Sequence, residues 1–173
     1  MKETTKILMD EHENILRLAD ALEKECNALK NGKDVDNKFF MDAVDFIRNY
    51  ADKFHHAKEE DILFKEMCSN ENQKKLHCNP VEQMLYEHNL GRDFVKGLEQ
   101  GINENDKRKI IENAQGYAQL IREHIFKEDN ILYPMADEVL NEKIQKSMLI
   151  RFKEAERQRA KDKKRCLGFL DNL

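Results

Sequence analysis

Apolar residues recur at spacings of three and four through five stretches of this chain, about 2–30, 36–68, 80–101, 106–140 and 141–170. That periodicity predicts amphipathic helices nearly end to end. Turns are scarce, because 173 residues hold only 2 Pro and 6 Gly. The breakers sit between the stretches. Asn31-Gly32-Lys33-Asp34 ends the first helix, with Gly32 supplying a left-handed C-terminal residue and Asp34 or Asp36 capping the next. The polar stretch from Ser69 closes on Pro80, a good first residue for a helix. Gly101 to Asp106 ends the third. Short links make neighbours antiparallel, so the expected fold is all-α. It is an antiparallel up-down four-helix bundle over 1–140, with an additional charged C-terminal helix over 141–173 that packs on or extends from it.

Charge and length exclude several classes of partner. Thirty basic and 34 acidic residues leave a net charge of −4, which offers no footprint for nucleic acid or anionic lipid. No apolar run approaches the ~20 residues that span a bilayer, and Met1 to Met9 lacks the pattern of a secretory signal. A cytoplasmic protein is expected. Cys26, Cys68, Cys78 and Cys166 are scattered and read as reduced thiols. A zinc site built from Cys68, His77 and Cys78 lacks a fourth ligand.

The apolar stripes are interrupted in a regular way. The first runs Leu8, His12, Ile15, Ala19, Leu22, Cys26, Leu29; the second Phe40, Val44, Ile47, Ala51, Phe54, His55, Glu59, Ile62. In the third, Val81, Met84, Leu85, Val95, Leu98 and Ile102 surround His88 and Gly91. The fourth steps through Ile110, Ala114, Tyr117, Ile121, His124, Glu128, Ile131 and Met135. Each helix therefore aims a histidine into the core, and two add a carboxylate one turn later. Burying a polar group without a partner costs about 2–7 kcal/mol, against a total stability of ~5–15 kcal/mol for a whole domain. Metal coordination compensates all of them at once, since neutral imidazole and carboxylate ligate iron, zinc or manganese.

The pattern also repeats. His55-His56-Ala57-Lys58-Glu59-Glu60-Asp61-Ile62-Leu63-Phe64 aligns with His124-Ile125-Phe126-Lys127-Glu128-Asp129-Asn130-Ile131-Leu132-Tyr133 at an offset of 69. Glu11-His12 and Leu22-Glu23 align with Glu87-His88 and Leu98-Glu99 at an offset of 76. The first two helices read as a copy of the third and fourth, giving a pseudo-twofold bundle. Such a site takes two histidines and one carboxylate from each half and suits two ions bridged by the carboxylates.

These motifs, HxxxE followed by KEEDILF, then EHNLGR and HIFKEDNILYP, resemble the hemerythrin family, in its HHE cation-binding branch, over about residues 5–140. The resemblance implies a non-haem di-iron centre, oxo- or hydroxo-bridged, with ligands His12, His55, Glu59, His88, His124 and Glu128. It departs from the oxygen carriers at His88, which has Met84 and Arg92 where a second histidine would stand one turn away, leaving one iron short of a ligand. The carriers' last carboxylate would fall at Asp129, which stands as the alternative to Glu128. His56 is a possible additional ligand, with a helix-edge histidine facing solvent or Glu60 as the plain reading.

Other residues have simpler roles. Gly91 faces inward, either for close helix packing or as an opening for a diatomic ligand. Tyr50 and Tyr117 fall near the stripe as core filler or as donors to a bound ligand. Aliphatic residues Ile15, Ile47, Ile62, Leu85 and Ile121 would shield the centre from water. The expected function is binding or sensing of O2, NO or peroxide, given that no evident proton donor accompanies the ligands. The rival is a di-iron enzyme that reduces peroxide or O2, or supplies iron for iron–sulfur cluster repair. A closed structural zinc bundle is disfavoured by the open position. A ferritin-like di-iron oxidase is disfavoured by His-x-x-x-Glu spacing and a histidine-rich ligand set.

Overall fold

The computed structural model describes residues 1–69 and 80–173, and among them every regular element is helical. His77 and Cys78 lie outside the described residues. Helix α1 spans Glu3–Lys30. Helix α2 covers 37–67 as one rod whose pitch changes along its length: α-helical over Asn37–Phe46, π-helical over Ile47–His56 and Glu59–Leu63, and α-helical again over Phe64–Met67. Helix α3 is Pro80–Glu104. Helix α4 covers 107–139, with a π-helical turn at Glu128–Leu132 between Lys107–Lys127 and Tyr133–Val139. Helix α5 is Glu142–Leu170.

Local chemistry sets these boundaries. Gly32 ends α1 at φ +97, a conformation that costs a residue without Cβ little. The Asp36 side chain then accepts the Phe39 amide, Asp106 the Lys109 amide and Asn141 the Ile144 amide, each 3.0 Å away, capping α2, α4 and α5. At the α3–α4 corner a Cβ on Gly101 would stand 2.9 Å from the Ile110 backbone nitrogen, so only glycine lets the helices meet there.

The first four helices form the up-down bundle and α5 lies against α1 and α2. Two apolar clusters fill it. One gathers Ile15 to Leu29 of α1 with the first half of α2, the end of α3 and the start of α4. The other gathers Leu8 with Leu63, Met84, Leu132 and Met148 at the opposite end. The histidines and their carboxylates occupy the layer between. No helix of the described residues is long and apolar enough to cross a membrane.

The fourth stripe departs from its expected register. Ile131 is 52% exposed and Met135 half-buried, while Leu132, Tyr133 and Ala136 are buried instead. The π-helical turn starting at Glu128 explains this, because i→i+5 bonding widens the turn and delays the buried face by one residue. The matching turn in α2 starts at Glu59, its equivalent in the repeat.

Candidate metal centre

His12, His55, Glu59, His88, His124 and Glu128 converge in the middle of the bundle, every one of them at most 2% exposed. Their ligand atoms form two overlapping groups, His12 with His55, Glu59 and Glu128, and His56 with Glu59, His88 and His124. The Nε2 atoms of His12 and His55 are 2.9 Å apart, and those of His88 and His124 are 3.0 Å apart. Glu59 Oε2 lies 3.6 Å from His55 Nε2 and 3.5 Å from His88 Nε2. Glu128 reaches His12 at 3.3 Å with Oε2 and His124 at 3.2 Å with Oε1. Both carboxylates thus span the two histidine pairs.

A second layer of carboxylates fixes the rings. His55 Nδ1 meets Glu11 at 2.9 Å and His124 Nδ1 meets Glu87 at 2.8 Å. His12 Nδ1 meets Asp129 at 2.8 Å and His88 Nδ1 meets Glu60 at 2.7 Å. Lys58 donates to Glu11, Lys127 to Glu87, and Arg92 to Glu60 and Asp52. A carboxylate on Nδ1 holds the proton there and turns the Nε2 lone pair inward. Every member of this layer except Arg92 and Asp52 belongs to the repeat: Glu11 with Glu87, Lys58 with Lys127, Glu60 with Asp129.

Facing lone pairs repel unless a cation or a proton lies between them. Glu59 Oε2 and both oxygens of Glu128 are buried and have no hydrogen-bond partner, a costly arrangement for a protein that leaves them so. Two nitrogen ligands at ~2.1 Å from one ion and at right angles to each other stand about 3.0 Å apart. The separations above suit that arrangement, and the mixed imidazole–carboxylate donor set suits iron. The residues therefore fit a pair of metal ions.

Protonation in the cluster follows from crowding. Burial, and then the adjacent Glu128 charge, push the Glu59 carboxyl well above the usual range. Burial acts the same way on Glu128, but His124 and His12 overcome it and hold that carboxyl well below its ordinary value. His124 is raised to about 9, its burial outweighed by Glu128 and Glu87. Burial drives His55 and His56 the other way, well below the usual imidazole range.

Several expectations need correction or completion. Asp129 does not face the cluster; it is the outer partner of His12, so it does not replace Glu128. His56 is not a solvent-facing edge residue. It is 6% exposed, stacks on His88 at 3.8 Å between centroids, and joins the His88–His124 group. Tyr50 accepts from Asn14 and takes no part. Gly91 is not there for close packing, because a Cβ on it would meet nothing nearer than 3.7 Å.

A proton donor was also missed. Tyr133 Oη donates to Glu59 Oε1 at 2.6 Å and lies 3.3 Å from His12 Nε2, its ring stacked on His12. The repeat pairs it with Phe64, which stacks on His88 in the same way. That alignment was the available signal.

The profile of the hemerythrin HHE cation binding domain matches residues 3–136. No curated protein and no solved structure matches the chain.

Proposed function

The chain belongs to the hemerythrin HHE cation-binding family, and from that premise we propose that it is a non-haem di-iron protein that binds or senses a small oxidant or diatomic, O2, NO or peroxide. The observation that carries this reading is the convergence of four Nε2 atoms on two carboxylates whose inward oxygens lack hydrogen-bond partners. His12 and His55 would hold one ion, His88 and His124 with His56 the other, and Glu59 and Glu128 would be shared. Two ferrous ions held by these residues would supply electrons to a small ligand.

The chain's own groups divide the remaining work. Glu11, Asp129, Glu60 and Glu87 orient the rings and raise their basicity. Apolar residues exclude bulk water on the His12 side, where Ile15 and Ile125 are buried. The His56 side connects to solvent, which gives a ligand its route.

Tyr133 favours a second reading, reduction of peroxide or O2, because its hydroxyl places a proton beside Glu59 and His12. Cytoplasmic location is part of the proposal. Metal analysis and optical spectra of the aerobic and reduced protein test the main reading. About two irons per chain with a redox-dependent visible band support it, and a single zinc with no redox change overturns it. Stopped-flow mixing of the reduced protein with O2, peroxide and NO then separates carrier from reductase.

A further inference from the structure

A cavity of about 330 Å³ leads between α2, α3 and α4 to His56, His88 and His124. The repeat identifies what made the space. Gly91 stands where the other half has Ile15, and His56 stands where it has Ile125. Both isoleucines are buried in the core cluster. One half has thus lost an aliphatic side chain and gained a polar ring at matched positions. Neither ring nitrogen of the buried His56 is within hydrogen-bond reach of a partner, Asp52 standing 3.6 Å from its Nδ1, and the buried Tyr117 hydroxyl, also on the cavity wall, has none either.

This space is oversized for a diatomic. It has room for on the order of ten waters at ~30 Å³ each, and it falls at the lower end of the ~300–1,000 Å³ range of sites for small organic molecules. Ile47, Val95, Leu120 and Ile121 give it an apolar wall. Arg48, Lys53 and Lys96 stand around it, Arg48 paired with Glu99 and Lys96 with Asp93. The acids on the wall are already engaged, Asp52 by Arg92 and Glu87 by His124 and Lys127. An entering ligand therefore meets Lys53 at the mouth, then hydrocarbon, then the His56 ring and the unpartnered Tyr117 hydroxyl.

We propose that this cavity binds a small organic monocarboxylate, its aliphatic body along the Ile47, Val95, Leu120 and Ile121 wall and its carboxylate head toward the Tyr117 hydroxyl, beside the His56 edge of the histidine cluster. Such a ligand would occupy the approach to the histidines and control what else reaches them. The inference rests on the metal-centre reading only for the claim that the ligand's head sits beside the ions; the cavity itself does not depend on them.

Calorimetric titration of the iron-loaded full chain with octanoate, acetate and octylamine tests it. Octanoate should bind at least tenfold more tightly than acetate, and octylammonium should not bind. Gly91→Leu, which refills the space beside Leu120 and Tyr117, should weaken octanoate at least tenfold while iron content stays unchanged. Tyr117→Phe, which keeps the space and removes one head contact, should weaken it severalfold. Equal binding of octanoate and acetate, or undiminished octanoate binding by both variants, overturns the proposal. A chain that holds no iron yet binds octanoate in a Gly91-dependent way overturns the metal reading and leaves this one standing.

Discussion

His12 and His55 sit on a closed side of the centre, whereas His88 and His124 look past His56 into a solvent-connected cavity. The inner atoms of the two sides are nearly superimposable in kind: a histidine pair at 2.9 or 3.0 Å, and a shared pair of carboxylates. So is the outer layer, from Glu11 with Lys58 to Glu87 with Lys127. The differences are His56, which joins one histidine pair alone, the Arg92–Asp52 pair near it, and the residues packed around them. Ile15 faces Gly91 across the repeat, Ile125 faces His56, and Tyr133 faces Phe64. Helix α5 then covers one side alone. Lys58 is fully buried, its ammonium over Phe54 and near Phe152 of α5, while Lys127 remains a third exposed. The comparison teaches that the repeat preserves the paired histidines, the shared carboxylates and the lysine-held outer acids, while divergence falls on access, on proton supply and on the Arg92–Asp52 pair. A closed side suits a retained ion and an open one suits exchange of ligands.

The largest effect should come from breaking what the two sides share. Glu59→Ala or Glu128→Ala removes a carboxylate that contacts both histidine pairs. Iron affinity should fall by more than the ~10–100-fold typical of losing an outer partner, and metal analysis should find both ions gone rather than one. Next comes pH. Without metal, His124 holds a proton at pH 7, since its pKa is raised to about 9, and Glu59, raised by burial and by Glu128, keeps its proton to higher pH than an ordinary carboxyl. An entering ion must displace these protons. Apparent iron affinity should therefore climb by about tenfold per pH unit and level off as pH passes about 9. Competition with a chelator across that range measures it.

The two lysines test the covered side against the open one. Lys58→Met leaves Glu11 buried without its cation and should cost about 3 kcal/mol, the scale for breaking a buried pair. Lys127→Met, at a partly solvated pair, should cost about 1 kcal/mol or less. Urea denaturation of the two variants reads the difference, and equal losses would mean that α5 does not set it. The smallest effect belongs to Tyr133→Phe. It makes the His12 side resemble the His88 side at the cost of one hydrogen bond, about 1 kcal/mol. Iron should remain, while the rate of peroxide reduction, if that is the reaction, should drop.

Much of this was legible in the residues. Caps and glycines mark the helix ends to within a few positions, as Asp36 and Asp106 show. The stripe predicts burial for all four histidines and both glutamates. It failed where pitch changes: Ile131 and Met135 satisfy an α-helical count, but a π-helical turn carries the buried face to Leu132 and Tyr133. No propensity signals that turn. The outer layer was half visible, because the repeat exposes Glu11, Lys58 and Asp129 but not which ring each one holds. Lys58 reads as a surface lysine until α5 is placed over it. His56 and Gly91 acquire meaning only when their partners Ile125 and Ile15 are seen packed on the other side.

The central claim is a pair of ions in unequal surroundings, one closed and one open. Mössbauer spectroscopy of the chain loaded with iron-57 tests it most directly. The account predicts two quadrupole doublets of equal area, with azide shifting one of them and leaving the other in place. A single doublet unaffected by azide, or iron at one per chain, would contradict it.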